Sequence, residues 1–504
     1  MVMPFENRSK APGLEWISEA FPDVLGERMA SPGMYVISRD DRVYAFDHAG
    51  VPGTARPSRA TIYSVAEQMD ADYVVLGDYD FDGKTFSGRA QLLDMKKLRL
   101  LPEVQSSGPL TSLIDTQTDL AWGLLQQMPA RPTLTREQFL KNSKPIRLDA
   151  FENYIRGILA PNRQQKLRYF REAIRLNPSY TLAMLQLGKV YYDNHEYESA
   201  SIWLSRIPKD DAISGEANFL LGMAEFYRGN YDKAYSAFNF LVARLPLTEV
   251  YNNLGVVESR RSRRAASIAH FTKAVVADPS DPDYRFNLAV ALYKNGDNAG
   301  AAQQLREELQ RRPNDAEGRS LLEAINRGIS APAATSTIAG IPPGQSRIPM
   351  ERIKRNYDEA SYRQLELEIH NLTEERLART DRKAHSSYHS DRGRELLAQN
   401  AVADAEAEFR EAISLDYNNA AAHGGMARAL EQRGDTSNAR SEAQMSLRLQ
   451  PNVDALLVLA RLNLKQNQVE AASDMVKQAL KLEPGNSAAQ ALQRDLTAKQ
   501  TAPH

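Results

Sequence analysis

The sequence predicts a multi-domain fold: a small α/β domain followed by two all-α solenoid arrays. Three observations point there. A chain of 504 residues is too long for one ordinary core and suggests roughly three units. Small residues recur every 33 or 34 positions through two long blocks. The first 128 residues lack that period and mix short apolar runs of strand length with amphipathic helical stretches.

Within residues 1–128, MVMPF, MYVIS, YVVLGDYDF, TFSGRAQLLD and KLRLLPEV read as strands. LEWISEAFPDVLGERM, RATIYSVAEQM and LIDTQTDLAWGLLQQM read as helices. MPFEN near the start, EWISEAFPDVLGERM, SRDDR, DADYVVLGDYDFDG and a closing Asp-Leu-Ala-Trp helix together resemble the amino-terminal domain of the TolB-like family. That resemblance implies fold and association and brings no catalytic motif. Residues 129–148 are expected to be a linker.

The repeat begins at 149–327, the first array with its end helix. Leu187-Gly188, Leu221-Gly222, Leu254-Gly255 and Leu288-Ala289 follow one another at spacings of 34, 33 and 34. Sixteen positions after each small residue stands Leu204, Phe238, Phe271 or Leu305. Pro246, Pro279 and Pro313 close the units, as proline cannot continue a helix and turns its predecessor away from one. At about 100° per residue, positions 4, 7, 8 and 11 of a unit share one face, and the small residue at 8 lets a paired helix come close. Residues 386–504 repeat the scheme with Gly393, Ala427 and Ala460, then Ala405, Ala439 and Ala472, and Pro451 and Pro484.

These residues resemble the tetratricopeptide repeat, although position four, a Trp in the family pattern, is Met184, Asn218, Tyr251, Arg285, His389, His423 and Leu456 here. The resemblance implies stacked helix pairs, each too thin to bury its stripe alone. Between the arrays, residues 328–349 are rich in Pro, Ala, Ser, Thr and Gly and read as a linker. Residues 350–385 read as a charged connector helix on an approximate stripe of Ile353, Tyr357, Ala360, Leu365, Ile369 and Leu372.

Composition narrows the function. Lys plus Arg total 63 against 64 for Asp plus Glu, so no global field draws the chain to nucleic acid or an anionic membrane. The run SRRSRR at 259–264 has no interleaved aromatic platform and falls at a turn between helices, so a solvated turn is expected rather than a nucleic-acid grip. No apolar run approaches the ~18 residues of a membrane span. The absence of cysteine excludes disulfides and Cys-ligated zinc. MVMPFENRS lacks the features of a signal peptide, so a cytoplasmic setting is expected, with the periplasm or cell envelope as the alternative if a leader precedes it.

Local chemistry is sparse. Asp78, Asp80, Asp82 and Gly83 begin like a calcium loop, but Arg89 stands where the bidentate Glu belongs, and Asp82-Gly83 suits a hairpin turn. His385 and His389, four apart, have no third ligand in view and read as structural. Ser38 to Arg42 read as an ion-pair loop after a strand. With no phosphate loop, dinucleotide fingerprint or nucleophile elbow, neither an enzyme, a cofactor nor a metal is expected.

The tetratricopeptide resemblance implies a groove lined by positions 2, 5, 9 and 12 of the first helices. In the first array these include Leu185, Lys189, Tyr192, Phe219, Met223, Phe226, Asn252, Phe286 and Tyr293; in the second, Arg394, Arg428 and Arg461. The implied partners are protein segments with apolar anchors, acidic ones for the second array. The competing reading is that the chain's own linker or connector helix covers the strips. The expected function is an interaction scaffold; the alternative is a sensor whose α/β domain binds a small ligand while the repeats relay its state.

Overall fold

The computed structural model describes residues 1–9, 11–30, 34–51, 57–128, 136–143, 145–329, 331, 349–377, 381–399 and 401–501. It falls into two compact units, Met1–Tyr362 and Arg363–His504.

The first unit opens with β1 (Glu6–Asn7), α1 (Ile17–Met29), α2 (Arg39–His48), α3 (Arg59–Gln68), β2 (Tyr73–Phe81), β3 (Phe86–Asp94), β4 (Arg99–Leu100), β5 (Val104–Gly108) and α4 (Leu113–Leu125). β1 runs parallel to β2, and β3 pairs antiparallel with β2, β4 and β5. Alternation along β3 is strict: Phe86, Gly88, Ala90, Leu92 and Asp94 are buried on one face, the signature of a half-covered strand. α1 and α4 cover that face, and Gly88 leaves room for Phe21 and Leu120 to close on the sheet.

Three expectations here are corrected. MYVIS is not a strand; among its residues only Met34 forms a bridge. SRDDR is not a loop but the start of α2, where the Ser38 hydroxyl accepts the Asp41 N–H and caps the helix. The β2–β3 hairpin turns on Gly83 and Lys84 rather than Asp82-Gly83, because Asp82 N–H bonds Thr85 O at 3.3 Å and Gly83 takes the positive φ of 96°.

In the stretch read as linker lies a short helix, α5 (Arg136–Asn142), after which the array begins. Its pairs are α6 (Leu148–Leu159) with α7 (Arg163–Leu176), α8 (Thr181–Asp193) with α9 (Tyr197–Leu204), α10 (Ser214–Tyr227) with α11 (Tyr231–Val242), α12 (Thr248–Arg260) with α13 (Arg264–Ala277), and α14 (Pro282–Lys294) with α15 (Asn298–Arg311). α16 (Ala316–Asn326) ends the stack. A Cβ on Gly222 would lie 2.7 Å from the Phe238 ring, and one on Gly255 2.6 Å from Phe271, so the sixteen-residue spacing is the contact between paired helices. In four of the five pairs, from α8–α9 to α14–α15, the turn carries one left-handed residue: His195, Gly229, Ser262 and Gly296.

The core of the α/β layer continues into this array. Trp16, the N-cap of α1, meets Phe151 of α6 edge-on at 6.1 Å, and one apolar cluster runs from Val2 through Phe151 and Phe170 to Leu204.

The connector is corrected more sharply. Residues 351–358 are extended, and only from Glu359 does a helix form, α17 (Glu359–Leu377), with Asp358 accepting the Ser361 N–H. The second unit holds α18 (Arg382–Ala398), α19 (Val402–Leu415), α20 (Ala420–Gln432), α21 (Thr436–Leu449), α22 (Val453–Lys465), α23 (Val469–Leu482) and α24 (Ser487–Thr501). Gly393 and Gly425 both abut the Phe409 ring. Among the described residues no helix is long and apolar enough to cross a membrane.

Candidate functional site

The first helices α10, α12, α14 and α16 share a face, and the extended residues 351–357 lie along it. Two asparagines hold this segment by its main chain. Asn287 Nδ2 donates to Arg352 O at 2.7 Å while its Oδ1 accepts Arg352 N–H at 2.6 Å. Asn253 does the same to Lys354, both bonds at 2.8 Å. Asn252 adds a bond to Arg352 O at 2.9 Å. Asn253 and Asn287 occupy the same position in successive units, 34 residues apart, and engage residues two apart in the segment. A strand turns the same way every second residue, so repeat and strand are in register.

Alternation then sorts the side chains. Glu351, Ile353 and Tyr357 point one way. The Glu351 carboxylate is fully covered, 3.0 Å from Arg260 Nη1 and 2.5 Å from Lys294 Nζ, and accepts the Ser259 hydroxyl. Burial pushes its pKa up, but the Lys294 and Arg260 charges outweigh that and hold it below the usual range. Ile353 packs against two apolar clusters, one holding Val256 and Leu288 and one holding Val250 and Leu254, with Phe226 beside both, and the Tyr357 ring lies 5.2 Å from Phe219.

Arg352 and Lys354 point the other way, to an acidic wall. Arg352 lies 3.6 Å over the Phe286 ring and pairs with Asp283 at 3.0 Å, Asp315 at 2.5 Å and Glu317 at 3.2 Å. Lys354 pairs with Asp281 at 2.6 Å and Asp283 at 2.9 Å. Burial would raise the Asp283 pKa, yet hydrogen bonds from Arg312 and Lys354 hold it well below the carboxylate range. At the far end Glu249 Oε1 accepts the Asp358 N–H at 2.9 Å.

The residues expected to line the groove separate into two sets. Asn252, Phe219 and Phe286 meet the segment, and Phe226 packs on the same apolar clusters as Ile353. Met223 lies beneath it, accepting from Asn253 at 3.6 Å. Leu185 belongs to the core, the Tyr293 hydroxyl donates to Ile329 O at 2.9 Å, Tyr192 packs on Tyr197, and Lys189 pairs with Glu216 at 2.8 Å. The strip is thus buried rather than open: Phe219, Met223 and Phe286 are all fully buried. In the second array Arg394 pairs with Asp391, Arg428 with Asp454 at 3.5 Å and Arg461 with Glu431 at 2.5 Å, so its basic strip is matched internally.

Sequence reading missed Asn253, Asn287, Arg260 and Lys294. For the two asparagines the signal was an Asn just before Leu254 and again just before Leu288, on a face where burial demands a hydrogen-bond partner. In SRRSRR the turn is real, with Ser262 at φ 60°, but only part of it is solvated: Arg260 reaches Glu351, and Arg261 pairs with Asp232 at 2.9 Å over the Tyr235 ring.

His389 and His423, at equivalent positions, bond Glu408 and Glu442 at 2.6 Å, which makes them packing residues. Asp82 accepts Lys84 and Thr85 N–H, and Asp78 pairs with Arg8 and Arg89, so these carboxylates are used within the hairpin and sheet. A second cavity, of about 600 Å³, lies between the sheet, α2 and α3. Five arginines and five carboxylates line it, with Arg39 and Arg42 both paired to Glu19.

Comparison with known proteins bears on the array and not on the sheet. A family model described as tetratricopeptide repeat matches residues 219–282, 252–316 and 390–454. No curated protein matches. Among solved structures, MamA from Desulfovibrio magneticus RS-1 is 20% identical at a TM-score of 0.31, covering 33% of this chain and 96% of that one. YrrB, titled a TPR protein with an unusual peptide-binding site, is 17% identical at 0.32, covering 36% and 92%. A tetratricopeptide repeat protein from Parabacteroides merdae is 10% identical at 0.28, covering 63% and 98%. The helix pairs at 219–316 and 390–454 are therefore tetratricopeptide repeats, a module whose general role is to bind protein partners.

Proposed function

We propose that the protein is a non-enzymatic interaction scaffold whose first array grips extended peptide segments along α10, α12, α14 and α16. The observation that carries this reading is the pair of asparagines, Asn253 and Asn287, each closing two hydrogen bonds on the N–H and C=O of one residue. Side-chain amides that match a main chain accept any sequence in extended form, and the walls beside them select among sequences. The expected groove roles of Phe219, Phe226, Asn252 and Phe286 belong to this proposal, as do acidic partners for Arg394, Arg428 and Arg461.

The test is a synthetic peptide of residues 349–358 with a photoreactive group in place of the Ile353 side chain, added in excess to the full chain. Labelling at Phe226 and Val256 is expected. Labelling spread over the surface, or confined to the second array, would refute it.

A second reading rests on the cavity by Arg39 and Arg42. The resemblance of residues 1–128 to TolB-like domains and a polar cavity of about 600 Å³ both favour a small ligand there. Because the sheet shares its core with α6, occupancy of that cavity would bear on the first helices of the array. A metabolite that raises the melting temperature of the full chain, and not of an Arg42→Ala variant, would favour this sensor.

A further inference from the structure

We infer that residues 351–357 are a built-in ligand that keeps the first array closed, and that the external partner which replaces them carries the same order: an acidic residue, then basic, apolar and basic residues in extended form. This rests on the reading of the array as a peptide-binding groove.

The groove's present occupant defines, by its contacts, the chemistry of what could replace it. Arg260, Lys294 and Ser259 form a cationic socket that takes one carboxylate. Two residues later in the chain, the apolar cluster around Val256 takes one aliphatic side chain, Ile353. Between and after them, Asp281, Asp283 and Asp315 take two cations on the opposite side. The socket and the acidic wall face each other across one strand, so a segment of reversed charge order meets like charges on both sides.

The same contacts show why the segment acts as a competitor. What holds it is largely exchangeable polar contact. Its Arg355 and Asn356 side chains are exposed, and only Ile353 and Tyr357 join the apolar clusters. When the segment leaves, the amides of Asn252, Asn253 and Asn287 and the charged walls regain either water or an incoming peptide with the same pattern. A tethered competitor acts at an effective concentration of order a millimolar. Against a peptide of about 30 μM intrinsic affinity, it weakens apparent binding about 30-fold.

The experiment measures fluorescence anisotropy of a labelled peptide of residues 349–358 on the full chain and on an opened chain, Glu351→Lys, Arg352→Glu and Lys354→Glu together. A peptide with those same charges reversed is the control. The opened chain is expected to bind the native peptide about 30-fold more tightly than the wild type, and neither chain to bind the reversed one. Equal affinity for both chains would overturn the gating and leave the groove reading intact. If neither chain binds while both keep their helical signal and melting temperature, the groove reading falls too.

Should the triple variant lose its fold, Gly215→Ala serves instead. Its methyl would meet the Tyr357 hydroxyl at 2.3 Å and loosen the segment without touching the asparagines or the charged walls, raising affinity severalfold. A wild-type dimer by light scattering that dissolves in the opened variant would overturn closure within one chain and make a second copy the occupant.

Discussion

Removing one carboxylate should release the segment without unfolding the array. Glu351 is fully covered, whereas its cationic partners Arg260 and Lys294 retain 19% and 25% exposure. Truncating one member of a buried ion pair costs about 3–5 kcal/mol, chiefly through the charge left unpaired. Here the stranded cations reach water as soon as the segment lifts off. The loss therefore falls on docking and takes the lower end of the range, about 3 kcal/mol. That exceeds the roughly 2 kcal/mol by which the segment is docked, so at about 1.4 kcal/mol per factor of ten Glu351→Ala should speed amide exchange at Arg352 and Lys354 by roughly thirtyfold, the whole of their protection. Those N–H groups are informative because they are bonded to Asn287 and Asn253. Exchange in α12 and α14 should stay within a few-fold of wild type. Acid should mimic the substitution: the folded pKa of Glu351 is depressed, so its contribution is present above the ordinary carboxylate value and is lost as pH falls through the folded one. Asp283 and Asp315, also depressed, add to the same acid opening. Unchanged exchange at residues 352 and 354, or a global melting loss matching the local one, would refute this reasoning.

Three further outcomes are expected. Ser262 holds a left-handed backbone where neighbouring units place Gly229 and Gly296, so Ser262→Gly should stabilise by about 0.5–1 kcal/mol in urea unfolding. Glu308 is buried beside Asp315, and burial pushes its pKa up to about 7; since that carboxyl folds best protonated, it costs stability above its unfolded value. Glu308→Gln should therefore stabilise by about 1–3 kcal/mol at pH 8 and by little at pH 4. His423 has a raised pKa because, against the effect of burial, its bond to Glu442 favours the charged ring. That contribution is complete below the ordinary histidine value and vanishes as pH rises through the folded one, so Glu442→Gln should cost about 1–2 kcal/mol near pH 5.5 and little at pH 9.

The solenoid was legible because its signal is redundant: a small residue and an apolar residue sixteen places on recur in every unit, and a closing proline in most. The hairpin was legible to within one residue, since Asp82 and Gly83 mark the turn but only the pairing sets which residues are central. α2 was lost because RDDRVYAFDH has few apolar residues, although Ser38 and Asp41 form a capping pair that the sequence displays. The misreading of 351–358 has a different cause. Ile353, Tyr357 and Ala360 fall at i, i+4 and i+7, the spacing of a helix face, so local pattern favours a helix there. The amides of Asn253 and Asn287 occupy the N–H and C=O groups that a helix would need, and tertiary contact overrides pattern. No window of ten residues contains that information, because the competing groups lie 65 to 101 positions away.

Whether the segment is a strut or a displaceable ligand follows from its energetics. Ile353 and Tyr357, partly buried, contribute about 2 kcal/mol each. Five bonds between asparagine amides and its main chain contribute about 1 kcal/mol apiece. The Glu351 cluster contributes about 3 kcal/mol, giving a favourable side of about 12 kcal/mol. Ordering roughly seven residues at about 1.5 kcal/mol each opposes it with about 10 kcal/mol. The balance of about 2 kcal/mol is enough to keep the groove filled at rest. It is too small to resist a competitor offering the same contacts. A strut would need an apolar face like that of α16, whose Leu321 and Ile325 are sunk among Phe286, Ala302 and Leu305. Residues 351–357 have only two apolar anchors, so their polar pattern makes them a ligand that the array can exchange.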